Sequence, residues 1–222
     1  MFITCIVVGL LAVLSILPGL YYREYYLHEK KKPKHVQVLL AQKKSFIGMT
    51  ICQLAVGGCM IALVIWHKLA WDIALREQLV LHLLAVISSI DLSVKKIPNM
   101  LTACLFMVWV LFTAVDVIQS KELATVGTLL VRSGLGLLVG GGIMLICMLI
   151  SRGGLGAGDV KLFAVLGMLY GMLGVMTVLF YTCLIAAVIC VVLLISKKMR
   201  LRDTIPMSPF IFAAAVLYDI FS

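Results

Sequence analysis

Two aspartates, Asp91 and Asp159, are the residues of this chain best placed to do chemistry. Asp159 closes Gly156-Ala157-Gly158-Asp159 within GGLGAGDVKLF, residues 153–163, between two long apolar runs, and Lys161 follows it. Asp91 ends another apolar run, ahead of Lys95, Lys96 and Pro98. A carboxylate at a membrane boundary is costly, and a functional role is the default reading. Singly, each has a plain account: Asp159 as a helix N-cap after glycine, Asp91 as a loop residue beside two lysines. As a pair they could do more. Two carboxylates about 4 Å apart repel by ~4 kcal/mol at an effective dielectric of ~20, so near neutral pH they share one proton. The ionised member can take a proton from water. The protonated member can polarise a peptide carbonyl and then protonate the leaving amine. Titration then belongs to the pair. Asp159 opens a helix, where the dipole favours the anion, and Asp91 closes one, a polarity that biases Asp159 toward the base without fixing the two roles.

The elements that must position them are membrane helices. The 222 residues are 63% hydrophobic and 13% charged, with mean hydropathy +1.15, more apolar surface than a soluble domain of this size can bury. In a soluble protein the net charge of +9 would suggest nucleic acid. Here the basic residues cluster between apolar runs, as the positive-inside rule asks, so lipid head groups rather than nucleic acid are the expected contact. The seven cysteines form no CxxC and lie mostly inside apolar runs, which reads as core filling rather than a metal site or disulfide framework.

Residues 2–20 form a first span, with its N-terminus outside; a cleaved signal peptide is the lesser account, since its charges follow the apolar run. The basic segment Tyr21 to Lys44 is cytoplasmic. Further spans are expected at about 45–66, 78–90 (its helix extending into the preceding loop), 98–118, with Pro98 at the first turn, and 124–150. Val160 to Ser196 carries one charge, Lys161. As one helix it would be ~55 Å long, against a hydrocarbon layer of about 30 Å, so it is a hairpin turning near Tyr170 to Gly174. A last span covers about 206–220. The fold class is therefore all-α: a polytopic helical bundle of about eight transmembrane helices with both termini outside. This topology sets Asp91 and Asp159 at cytoplasmic helix ends, at one depth.

Gly156 and Gly158 are expected to supply turns closed to other residues and to leave room for an extended peptide beside Asp159. Gly136 and Gly140 form a GxxxG suited to close helix packing. Asp116 and Arg132, near the outer side, are expected to pair. Gln78 and His82, one turn apart, read as satisfied polar groups. Lys161 either holds a substrate carbonyl or snorkels to the interface.

These residues resemble the type IV prepilin peptidases, membrane aspartic proteases of the GxGD type. The resemblance rests on Gly156 to Leu162, on IDLSVKKIPN (residues 90–99) and on IPMSPF (residues 205–210), in that order, and covers roughly residues 80–222. It implies Asp91 and Asp159 as the catalytic pair, with Gly156, Gly158, Lys161, Pro98, Asn99 and Pro206 as substrate-binding or supporting positions. It implies removal of the short basic leader from type IV prepilin or pseudopilin precursors, after a glycine and before their apolar helix, at the cytoplasmic face of the inner membrane and without metal or organic cofactor. The chain is accordingly divided into 1–77, a two-helix region with a basic loop, and 78–222, a six-helix aspartic peptidase core. Tyr21 to Lys44 lacks the tetracysteine zinc domain of the bifunctional members, so the resemblance does not extend to N-methylation. The competing readings are another GxGD protease of preflagellin or signal-peptide peptidase type, and a non-enzymatic transporter or secretion scaffold.

Overall fold

The computed structural model describes residue 58 and residues 71–120, 123–151, 154–197 and 205–221; residue 58 apart, the first two expected spans and the basic segment between them lie outside these. The described residues form five helices: α1 (Trp71–Val94), α2 (Asn99–Ser120), α3 (Leu123–Ile150), α4 (Ala157–Ile195) and α5 (Ser208–Phe221). No strand occurs among the described residues. The stretches Ile73–Leu92, Asn99–Ser120, Val126–Ile150 and Ala157–Ile195 are each long and apolar enough to cross a membrane. The chain is a helical membrane protein, and it divides into two units, Met1–Lys95 and Lys96–Ser222.

In the first unit, α1 starts ahead of Gln78, as expected, and continues past Ile90. The expected cytoplasmic segment 91–96 is thus helical up to Val94, because Leu92, Ser93 and Val94 contain no breaker. The stop comes at Lys95, which adopts a left-handed φ of 53° while its N–H still reaches the Asp91 carbonyl at 2.8 Å, a helix-end geometry more often filled by glycine. Gln78 and His82 are buried and bonded to each other, Gln78 Nε2 lying 2.8 Å from His82 Nδ1, but Gln78 Oε1 is buried without a hydrogen-bond partner, so the reading of satisfied polar groups holds for the amide nitrogen and the ring and fails for the amide oxygen.

The second unit is organised by glycines. In α4 the backbone leaves helical geometry at Gly171, φ 73° and ψ −177°. A methyl on Gly140 of α3 would come within 2.5 Å of the Phe163 carbonyl oxygen and 2.9 Å of Val175 Cγ2. A continuous helix would hold those two residues about 18 Å apart, so the chain doubles back at Gly171. The expected hairpin is therefore present, with arms 157–170 and 172–195. Helix α3 runs antiparallel to the first arm, Gly136 facing Gly167 and Gly141 facing Ala164, and parallel to the second. Gly136 and Gly167 present bare backbone to each other; a methyl on either would collide with the other's carbonyl oxygen. The expected close packing at the GxxxG is borne out. In lipid, such backbone approach replaces the hydrophobic drive to associate.

Helix α2 buries Leu101, Leu105 and Val108, a helical-period stripe, and is tied to α3 by Trp109 Nε1 donating to Ser133 Oγ at 3.0 Å. Helix α5 buries Phe210, Ile211, Ala214 and Ala215. Its Tyr218 packs edge-on against Tyr170, ring centroids 4.9 Å apart. Apolar side chains such as Ile118, Leu138, Ile150 and Leu173 face outward, as lipid-facing positions do.

The expected Asp116–Arg132 pair does not form; Arg132 Nη2 instead donates to the Tyr170 carbonyl at 3.4 Å, and its side chain lies against Gly171. The helix break supplies the reason. It strips carbonyls at the end of the first arm of their intrahelical donors, and a cation beside a helix C-terminus also meets the negative end of the dipole.

Candidate active site

Asp159 is held by the opening turn of α4. Gly156 is the N-cap, with φ −80° and ψ 143°, and the Asp159 N–H bonds its carbonyl at 3.1 Å. Asp159 is thus the third helical residue and not the N-cap of its plain reading. Its carboxylate folds back over the cap: Oδ2 lies 3.2 Å from where a Cβ on Gly156 would stand. The positive end of the helix dipole favours an anion there. The side chain is half-buried.

The glycines serve by their small size and not by unusual dihedrals, which corrects the expectation. Gly156 has an extended conformation open to any residue, Gly158 is helical, and neither has positive φ. Ile97 fills the space at Gly158, since a methyl there would come 2.9 Å from Ile97 Cβ. Lys161 Nζ donates to Asn99 Oδ1 at 3.1 Å. Asn99 is the first residue of α2. Pro98 lies buried just outside the helix rather than in its first turn, and its carbonyl accepts from the Leu101 and Thr102 N–H groups at 3.2 and 3.3 Å. Two separated stretches, Ile97 to Asn99 and Gly158 to Lys161, therefore form one corner. The Ile97 contact was not foreseen, and single-sequence spacing carries no signal for it.

Pro206 stands two residues before α5, which begins at Ser208 instead of the expected 206; Met207 accepts the first turn's N–H bonds from Phe210 and Ile211. With Tyr218 at the Gly171 turn and α5 packed along α4, the Pro206 end points away from the turn, toward the end where α4 starts. Asp91 belongs to the first unit. It lies in the last turns of α1 and is 5% exposed, a depth at which a carboxylate needs partners.

Two outcomes test this corner. Gly158→Ala should lower thermal stability by about 1–3 kcal/mol through overpacking, and Ile97→Ala in the same chain should recover most of the loss; equal, additive losses would rule out the contact. Lys161→Met and Asn99→Ala should each cost about 0.5–1.5 kcal/mol, and the double variant should cost no more than either, read by unfolding in detergent.

Comparison with known proteins bears on the same stretch. The sequence profile of the type IV leader peptidase family matches residues 78–191, more than half of the 222 residues. A prepilin leader peptidase/N-methyltransferase of Bacillus subtilis (strain 168) is 34% identical over 68 residues, which is 31% of this chain and 27% of that protein. The chain thus spans about a quarter of the length of that relative. No solved structure matches it. The chain belongs to the type IV leader peptidase family.

Proposed function

We propose that the chain is an aspartic endopeptidase that removes the basic leader of type IV prepilin or pseudopilin precursors at the cytoplasmic face of the inner membrane, with Asp91 and Asp159 as the hydrolytic pair. The observation that carries this reading is the family match over residues 78–191, which contains both aspartates. The similarity to the Bacillus prepilin leader peptidase/N-methyltransferase supports the peptidase reading.

Hydrolysis needs a water, a base and an acid. Ionised Asp159 takes a proton as the water oxygen attacks the scissile carbonyl carbon. Protonated Asp91 donates to the carbonyl oxygen, and the C–N bond breaks as the amine nitrogen takes up a proton. One peptide bond and one water become one carboxylic acid and one amine. The position of Asp159 in the first turn of α4 suits the anionic role. Asp91 near the end of α1 suits the protonated one. The first arm, 157–170, is ~21 Å long, short of the about 30 Å hydrocarbon layer, which suits a site at the lipid border. A precursor whose apolar helix lies in the bilayer with its leader in the cytoplasm offers its junction there. A glycine at that junction eases the unwinding that exposes its carbonyl.

The test is direct. Membranes containing the chain are incubated with a precursor carrying a basic leader, a glycine and an apolar helix, and the product's new N-terminus is read by mass spectrometry. A single cut after the glycine is expected. An uncut precursor, or a cut within the apolar helix, would exclude the reading.

A further inference from the structure

A second feature lies at the opposite end of the unit from Asp159. Around the Gly171 turn, α3, α4 and α5 form an open cleft of about 810 Å³, lined by Thr128, Val131, Arg132, Leu135, Leu173 and Tyr218 among others. Its wall is almost wholly apolar apart from Arg132, Thr128 and the tyrosine hydroxyls. Arg132 stands about 9 Å inside the apolar stretch Val126–Ile150. A guanidinium carries five N–H donors; one reaches the Tyr170 carbonyl. No carboxylate among the described residues pairs with Arg132. A cation at such depth calls for a counter-ion.

We propose that this cleft is a binding site for one anionic phospholipid, whose phosphate sits on Arg132 and whose acyl chain lies along Val131, Leu135 and Leu173. The charge is complementary, and a planar guanidinium suits a phosphate bidentately. The volume falls in the range of small-molecule sites, about 300–1,000 Å³. Within a bilayer, an anionic phospholipid is the abundant molecule that joins a phosphate to an apolar tail. Leu173, 81% exposed, forms the lipid-facing rim through which it would enter. The site is independent of the peptidase reading.

The purified full-length chain in mild detergent is titrated with phosphatidylglycerol or phosphatidylcholine and observed by native mass spectrometry. One phosphatidylglycerol should be retained under conditions that strip phosphatidylcholine, and Arg132→Gln should cut that retention tenfold or more. Leu173→Trp, which fills the rim from an exposed position, should do the same, and it decides the matter if Arg132→Gln does not fold. Equal retention of the two lipids, retention unchanged in the folded variants, or complete displacement by millimolar inorganic phosphate would each overturn the proposal. So would a photoreactive residue at position 173 that cross-links to another segment of this chain or to a second copy instead of to lipid.

Discussion

Asp91→Asn and Asp159→Asn should each reduce leader cleavage by about 10²–10⁴-fold, the scale of a lost general acid or base, while leaving the protein folded. Asparagine keeps the size and hydrogen-bonding reach of aspartate but can neither accept the water's proton nor supply one to the amine. The double variant should be little slower than either single one. The two groups act on one proton inventory, and removing one idles the other, as with other catalytic constellations that work as a unit. Cleavage is read from the mass of the processed precursor, and folding from the thermal midpoint in detergent. The distinction from a structural role is sharp. A carboxylate that merely capped the first turn of α4 would cost about 1 kcal/mol of stability when replaced and leave turnover near its normal value. Near-normal cleavage in either single variant would remove that residue from the hydrolytic pair.

What the sequence disclosed and what it hid divide along a physical line. The hairpin in α4 was legible because length is a hard constraint: an unbroken apolar run from Val160 to Ser196 cannot fit one crossing. The residue that breaks it was not, since Gly167, Gly171 and Gly174 are chemically identical in the sequence. Tertiary contacts sort them: Gly167 lies on the Gly136 backbone, Gly174 lies beside Tyr218, and Gly171 alone of the three has a left-handed φ. Arg132 was misassigned for a related reason. Opposite charges in neighbouring spans suggest a pair, but the carbonyls freed by the break at Gly171 exist only once the fold does. Asp91 and Asp159 stood out because charge is rare in this chain, whereas the reason for glycine at 156 and 158 did not. A glycine needed for conformation and one needed for room look alike until the neighbour, here Ile97 or the Asp159 carboxylate itself, is known. The end of α1 was placed too early because Asp91 was taken as the start of a loop, although nothing before Lys95 stops the helix.

The largest stability effect expected in the second unit is at the crossing of α3 with α4. Gly136→Val or Gly167→Val should destabilise by about 3 kcal/mol or more, at or beyond the upper end of ordinary overpacking, because the atom each new side chain meets is a backbone carbonyl oxygen that no rotamer change can move aside. The helices must separate, and the contacts that separation loses extend to Gly140 on Phe163 and Gly141 on Ala164. Helix α3 carries its own controls. A methyl on Gly134 or Gly142 meets nothing within 4 Å, so Gly134→Ala and Gly142→Ala should be neutral or stabilising by up to about 1 kcal/mol from helix propensity alone. Unfolding of the four variants in detergent separates the cases. If all four positions behave alike, the glycines act through the flexibility of their own helices and not through the closeness of α3 to α4. If only 136 and 167 fail, and cleavage falls with them in proportion to the unfolded fraction, then the backbone contact between α3 and the hairpin is what holds the first turn of α4, and Asp159 with it, in place.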